Sequence, residues 1–308
     1  MIHTAHFYIL LNVDEVQQLQ QRFAVHYTEI GKKVDCQFSA FTTWMVDKYG
    51  FRLHFIIDFI KLLGKADIKE SDYLQVEKEI KNYLFYLFLD VTMFDRICML
   101  RIDYRLDVKI PDPKHRELLL HLYKKTVEKF RFQKKYDQYD TTIYFNSQSV
   151  QGCCYDKEED VKAEGRIPEI YEKDVFRFEV RLQNPHLNHM KSRKGREKWL
   201  EEYFKESLYR HYMSKYLGAL LYEGDYYKIN KARTRINQSS LTKKEKEQLI
   251  EFLKYVSRHG IESAKQKYTR YYFRKFLTQL KALKINPILI PKNRKDFPSF
   301  MKNPFCLY

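Results

Sequence analysis

Val175-Phe176-Arg177-Phe178-Glu179-Val180-Arg181-Leu182 alternates apolar and charged side chains with a period of two. That is the pattern of a half-buried strand. Phe178, Val180 and Leu182 fall on one face, and Arg177, Glu179 and Arg181 on the other. Two earlier stretches repeat the pattern. Around Arg101-Ile102-Asp103-Tyr104-Arg105, the core-facing set is Ile102, Tyr104 and Leu106, set against Arg101, Asp103 and Arg105. Around Arg52-Leu53-His54, it is Leu53, Phe55 and Ile57, set against Arg52 and His54. If these strands share a sheet, one face gathers a His, an Asp, a Glu and several Arg. Carboxylates and imidazole are ligands for a divalent cation, and guanidinium groups suit phosphate. The same charges also read as cross-strand ion pairs on a solvated face, worth under about 1 kcal/mol each.

Working outward, residues 5–13, 36–46 and 51–60 read as three strands. Residues 71–90 form an amphipathic helix with Ser71 as its N-cap. The Arg101–Val108 strand follows and is closed by Pro111 and Pro113. Residues 114–130 make a second amphipathic helix, and strands follow at 141–146, 150–155 and 175–182. This order predicts an α+β fold, a mostly antiparallel sheet with helices packed on one face. After about Asn184 the strands give way to a basic all-helical region with helices at 194–217, 242–258 and 269–284. The expected domains are 1–190 and 191–308. Thr242 and Glu245 have the spacing of a capping box. A helix, a short helix near 261–267 and a basic helix then give a helix-turn-helix-like unit over 242–284. Arg270, Arg274 and Lys275 on the last helix are its phosphate-binding candidates.

Charge supports this division. Net charge is +16. Residues 184–308 hold 28 Lys and Arg against 11 Asp and Glu, whereas residues 1–183 hold 28 against 29. The excess positive charge lies wholly in the C-terminal part, where it attracts a polyanion, most commonly nucleic acid. A solvated basic surface is the plain alternative. The five cysteines, Cys36, Cys98, Cys153, Cys154 and Cys306, lack zinc-site spacing and are odd in number. A reducing, cytoplasmic compartment fits them. The N-terminus has no basic n-region of a signal peptide, and the apolar runs are too short to span a bilayer, so no membrane partner is expected.

Gly152-Cys153-Cys154-Tyr155-Asp156-Lys157 ends the strand before the last one. Tyr155 and Lys157 share a face that points toward the polar groups. A tyrosine attacking phosphorus leaves a covalent phosphotyrosine that stores the energy of the broken DNA bond. A Mg2+ or Mn2+ ion polarises the phosphate, and Lys157 stabilises charge or assists deprotonation. The chain has 25 tyrosines, and most tyrosines are surface or core residues. Likewise a lone His54 is commonly structural.

Three segments together resemble the phage and plasmid rolling-circle replication initiators of the filamentous-phage gene II/X type. They are Thr142-Ile143-Tyr144-Phe145-Asn146, Cys154-Tyr155-Asp156-Lys157-Glu158 and Val175 through Leu182. Arg101-Ile102-Asp103 is similar to that family's Arg-Ile-Asp strand. Leu53 to Gly64 is similar more weakly, since the family can carry Glu where His54 stands. The resemblance spans roughly residues 50–190. It implies a metal-dependent nicking-joining enzyme in which Tyr155 cleaves one origin strand, stays joined to the 5′-phosphate and frees a 3′-hydroxyl primer. It implies Asp103, Glu179 and His54 as ligands of Mg2+ or Mn2+, and Arg101, Arg105, Arg177 and Arg181 as phosphate contacts. Origin DNA, duplex and single-stranded, is the implied substrate, with a host helicase and polymerase as partners; a homodimer is left open. The paired-histidine metal motif of many rolling-circle enzymes is absent. Two other readings stand beside this one: a non-enzymatic DNA-binding regulator, and a tyrosine recombinase, whose metal-free helical site fits strand-borne Asp and Glu poorly.

Overall fold

Asn12 decides where the first strand ends. Its side chain accepts from Glu15 N, and the Asn12 backbone N–H donates to the Glu15 carboxylate, so the chain turns into a helix there. A computed structural model describes residues 1–128, 142–146, 149–218 and 221–305. In it β1 (Ile2–Leu11) is followed by α1 (Val13–Phe23) and α2 (Ile30–Gln37), then by β2 (Phe41–Val46) and β3 (Phe51–Asp58). Next come α3 (Phe59–Leu63), α4 (Tyr73–Phe88), β4 (Cys98–Lys109) and α5 (Pro113–Glu128). Then follow β5 (Thr142–Asn146), β6 (Val150–Asp156), α6 (Lys157–Ala163) and β7 (Val175–Gln183). Residues 129–130 of the expected second helix, and residue 141 of the strand after it, lie outside the described residues.

The seven strands form one antiparallel sheet in the order β2-β3-β1-β4-β7-β6-β5, and the fold is α+β as the alternation predicts. The chain divides into two compact units that interleave in sequence. The first holds residues 1–106, 148–151 and 179–213; the second holds 107–147, 152–178 and 214–308. The boundary expected near residue 190 thus falls inside the first unit, and the C-terminal helices belong to a unit that also takes in parts of the sheet.

In the first unit the alternation of β3 is met directly. Leu53, Phe55 and Ile57 are fully buried, and Arg52 and His54 stand on the other side, half exposed. Helix α4 covers the apolar face. Tyr83 stacks on Phe41 with centroids 4.1 Å apart, and its hydroxyl meets Thr43 Oγ1 at 2.9 Å. Burying one such aromatic is worth about 2–3 kcal/mol. The structure departs from the sequence reading at two elements here. Residues 36–37 close a helix rather than open a strand, because Ile30, Gly31 and Val34 bury one helical face against β2. A Cβ on Gly31 would collide with the Thr43 carbonyl, so only glycine allows this approach. Ser71 does not cap α4. It sits in a 3-10 turn, Glu70–Asp72, that leads into the helix.

The polar faces of β4 and β7 are also covered. Asp103 and Arg105 are buried with Ile102 and Tyr104, and Arg177 and Glu179 with Phe178 and Val180. Strands inside a sheet lose the wet face that alternation implies once other segments pack over it.

The remaining elements are α7 (Asn184–Lys194), α8 (Leu200–Tyr203), α9 (Glu206–Leu217), β8 (Tyr226–Tyr227), α10 (Ile229–Asn237), α11 (Lys243–His259), α12 (Ile261–Lys267), α13 (Arg270–Ala282) and β9 (Phe300–Met301). The single helix expected over 194–217 is interrupted twice, by a loop over 195–199 and again at residues 204–205. Thr242 and Glu245 form the capping box that their spacing predicts. Leu249, Phe252, Leu253 and Val256 of α11 pack with Ile261 and Ala264 of α12 and with Phe276 and Leu280 of α13 in one cluster. Among the described residues no helix is long and apolar enough to cross a membrane.

Candidate functional site

Antiparallel pairing sets the polar face of the first unit. Register places Tyr8 opposite His54, His6 opposite Arg101, and Thr4 opposite Asp103. A register shift between His6 and Phe7, and another between Ile2 and Thr4, re-aim side chains along β1. The result is a row of polar groups from β3 across β1 to β4.

At one end His6 Nε2 and His54 Nδ1 share a hydrogen bond of 3.1 Å. His54 lies flat on Trp44, with ring centroids 5.2 Å apart and an interplanar angle of 7°. Burial holds His6 far below the ordinary imidazole range, at about 4, and the nearby His54 and Arg101 push the same way. Burial, then Arg52, lowers His54 too. Both rings are therefore neutral at pH 7, the form that ligates a cation. His6 was not among the residues the sequence singled out. Its signal is the alternation of His6 and Tyr8 with Ala5, Phe7 and Ile9 in β1.

The linkage gives a prediction. Unfolded histidine takes a proton near pH 6.5, which the folded rings refuse. Stability is full above pH 6.5, falls as pH drops toward 4, and levels below that. For partly exposed rings we expect a loss of about 1–2 kcal/mol. Urea unfolding at pH 7 and 4.5 measures it, and His6→Asn should shrink the difference. An undiminished difference in that variant would assign the decline to other groups.

Further along the row Asp103 is 2% exposed. Thr4 Oγ1 donates to its Oδ2 at 2.5 Å, and Arg101 Nε lies 3.1 Å from its Oδ1 without forming a hydrogen bond. A buried carboxylate oxygen without a hydrogen bond is costly, and a cation would relieve it. Glu179 is fully buried. His3 Nδ1 lies 2.9 Å from its Oε1, and Arg181 donates twice to its Oε2, at 3.0 and 2.7 Å. The donor chemistry of Asp103, Glu179 and the neutral imidazoles fits a hard or borderline divalent ion. Among the described residues, however, no three His, Cys, Asp or Glu side chains are gathered closely enough to hold one. His54, Asp103 and Glu179 each contact a different partner: His6, Thr4 and His3.

The arginines divide in role. Arg101 and Arg181 are about a quarter exposed and sit beside the buried carboxylates. Arg105 is buried and donates to the Ala66 carbonyl. Arg177 is 0% exposed and meets Asp107 with both prongs, Nε to Oδ1 at 2.7 Å and Nη2 to Oδ2 at 3.0 Å. The phosphate role expected of Arg105 and Arg177 does not match these positions; both are held inside the fold.

Tyr155 and Lys157 belong to the second unit. Tyr155 stands near the end of β6 and is 5% exposed. Asp156 caps α6, accepting from Glu159 N at 3.2 Å. It also takes Arg116 Nε at 2.6 Å. Arg116 further reaches Glu158 and Asp174, each at 3.2 Å, which pins the strand-to-helix junction. The capping aspartate turns the chain directly after the tyrosine, so α6 begins at Lys157. Lys157 Nζ lies 5.9 Å from the centre of the Tyr155 ring, 3.3 Å from Asp160 and 3.6 Å from Glu172. A tyrosine on a junction braced this way is fixed in position, and its neighbouring cation is aimed by two carboxylates.

On α13, Arg270 and Arg274 are exposed, while Lys275 is half-buried and paired with Glu245 at 3.0 Å.

Comparison with known proteins adds one finding. A family model describing the N-terminal part of the phage replication-associated gene II protein matches residues 61–216, just over half of the chain. The match takes in β4, β6 and β7 and stops before α10. No curated protein matches the chain.

Proposed function

Because the chain belongs to the filamentous-phage gene II replication protein family, we propose that it starts rolling-circle replication by nicking one origin strand. Tyr155 is the nucleophile. Its phenol oxygen bonds to the scissile phosphorus, the bond from phosphorus to the 3′-oxygen breaks, and the 5′-phosphate remains on the tyrosine while the 3′-hydroxyl leaves as a primer. The observation that carries this reading is the braced junction at Tyr155, with Lys157 beside the ring. Lys157 steadies the charge that grows on the attacked phosphate. Arg101 and Arg181, each about a quarter exposed in the first unit, contact backbone phosphates of the DNA. Mg2+ or Mn2+ belongs to the same proposal: Asp103, Glu179 and His54 have the donor types for such an ion, but they are not gathered into one site.

The test is a supercoiled plasmid carrying the cognate origin, incubated with protein and Mn2+ or Mg2+. A nicked product with protein on its 5′ end is expected, and a chelator should abolish it. A second reading, a DNA-binding regulator without strand cleavage, is favoured by the low exposure of Tyr155. Binding without nicking under either metal would decide for the regulator.

The basic helices α11–α13 hold duplex DNA in this proposal, through Arg270, Arg274 and Lys275. The interleaved units make truncation near residue 190 a poor probe, because it would remove part of the second unit's core. Charge removal is cleaner. Arg270→Gln with Arg274→Gln should weaken duplex binding uniformly across sequences and lower the slope of log affinity against log salt by about 2. Fluorescence anisotropy over a salt series measures this, and an unchanged slope would remove these two residues from the interface. A host helicase and polymerase, a cytoplasmic location and single-stranded DNA as second substrate belong to the same proposal.

A further inference from the structure

Helices α10 to α13 expose two large aromatic side chains among the described residues, Tyr271 and Tyr272. Both lie in the first turn of α13, but they face different ways. Tyr272 leans toward the cluster, its ring 6.1 Å from Phe276. Tyr271 is 69% exposed, with Tyr272 beside it at 5.4 Å. Helical spacing puts Tyr271, Lys275, Thr278 and Ala282 in one row (i, i+4, i+7, i+11), opposite Phe276 and Leu280. Thr278 and Ala282 are exposed and small. Lys275, the charge in the row, already pairs with Glu245. Arg270 and Arg274 are exposed and flank the row on one side.

A face meant only for phosphates would carry free cations along its outermost line. Here that line begins with an aromatic ring and continues with short side chains, and the cations flank it. A helix of that profile fits deep into a groove. Its first turn meets base edges while the flanking arginines meet the backbone, the division of labour of the third helix in a helix-turn-helix. The occupant is duplex DNA, because the C-terminal residues carry the chain's whole positive excess.

We infer that Tyr271 is a base-reading residue of α13, touching a thymine methyl in the major groove of the DNA that the basic helices bind. Among the four bases the thymine methyl is the apolar feature on the major-groove edge. This inference rests on the proposal that α11–α13 bind duplex DNA, and it adds which residue gives that binding its sequence preference.

The experiment uses the full chain and a pool of randomised duplexes, selected at about 0.15 M salt. Affinities are then measured by anisotropy for the best selected duplex, for a scrambled duplex, for the selected single strand, and for selected duplexes with uracil replacing each thymine in turn. Wild type should prefer the selected duplex by about 10³-fold or more. Tyr271→Ala should lose about tenfold on the selected duplex and nothing on the scrambled one, with an unchanged salt slope. One uracil replacement should weaken wild type but not Tyr271→Ala, because the methyl and the ring act as a pair. Tyr271→Phe should keep the preference, since the ring rather than the hydroxyl makes the contact. The inference is overturned if Tyr271→Ala keeps the preference or weakens both duplexes alike. Loss in Tyr271→Phe, or tighter binding of the single strand, overturns it as well. If wild type selects no sequence and ignores the duplex altogether, the underlying proposal of duplex binding falls first, and this one with it.

Discussion

Tyr155→Phe is expected to leave the protein folded and bound to origin DNA while nicking drops below detection, by a factor of about 10⁴ or more. The substitution removes one oxygen and keeps the ring in its buried place near the end of β6. Loss of a hydroxyl hydrogen bond costs the fold about 1 kcal/mol, which is small against the whole. Asp156 still caps α6 and Arg116 still ties the junction, so Lys157 keeps its position. The neighbouring Cys154 offers no substitute nucleophile, since it is fully buried and its thiol is pushed well above its ordinary range by that burial. The assay reads two products, the open circle and the protein–DNA adduct, and both should vanish together. A Phe variant that nicks at the wild-type rate would move the nucleophile elsewhere.

The second large effect falls on stability. Arg177 has no exposed surface, and Asp107 meets it with two parallel bonds. Removing one partner of a buried, doubly bonded ion pair costs about 3–5 kcal/mol. The two directions differ here. The Asp107 side chain is 23% exposed and can recruit water, whereas Arg177 cannot. Asp107→Ala, which takes two charge-assisted bonds from the buried guanidinium, should cost about 4 kcal/mol; Arg177→Met, which keeps the volume and leaves Asp107 open to water, about 2 kcal/mol. Combining Asp107→Leu with Arg177→Met should recover most of the loss. Urea unfolding of the three variants checks the order. Equal costs, or no recovery, would mean that the pair does not act as a unit.

How much the sequence discloses differs between neighbouring strands. In β3 the alternation of Leu53, Phe55 and Ile57 with Arg52 and His54 names the core face correctly, because only one side of that strand is covered. In β7 the same alternation misleads, since Arg177 and Glu179 are buried as deeply as Phe178 and Val180. Period two reports which residues share a face. It does not report whether that face meets water. The candidate site is legible in type but not in contact: Asp103 and Glu179 are readable as acids on strands, while their links to Thr4 and His3 depend on β1 lying where it does. The signals for α1 and α6 are local and present in the chain, Asn12 with Glu15 and Asp156 before an acidic first turn. They are easily overridden by the strand patterns on either side. Gly31 is the opposite case, as its reason appears only when Thr43 arrives against it.

Phe305 sits in the core beside Phe178, with ring centroids 5.0 Å apart, and near Tyr123 at 6.2 Å. The unit that contains the proposed nucleophile therefore takes a side chain from a residue 150 positions downstream of Tyr155. On the ribosome, that unit stays unfinished until translation has passed residue 305 and the segment has cleared the exit tunnel. A shorter nascent chain would hold Tyr155 in an incomplete fold, so the proposed strand cutting would wait for Phe305 to reach its place.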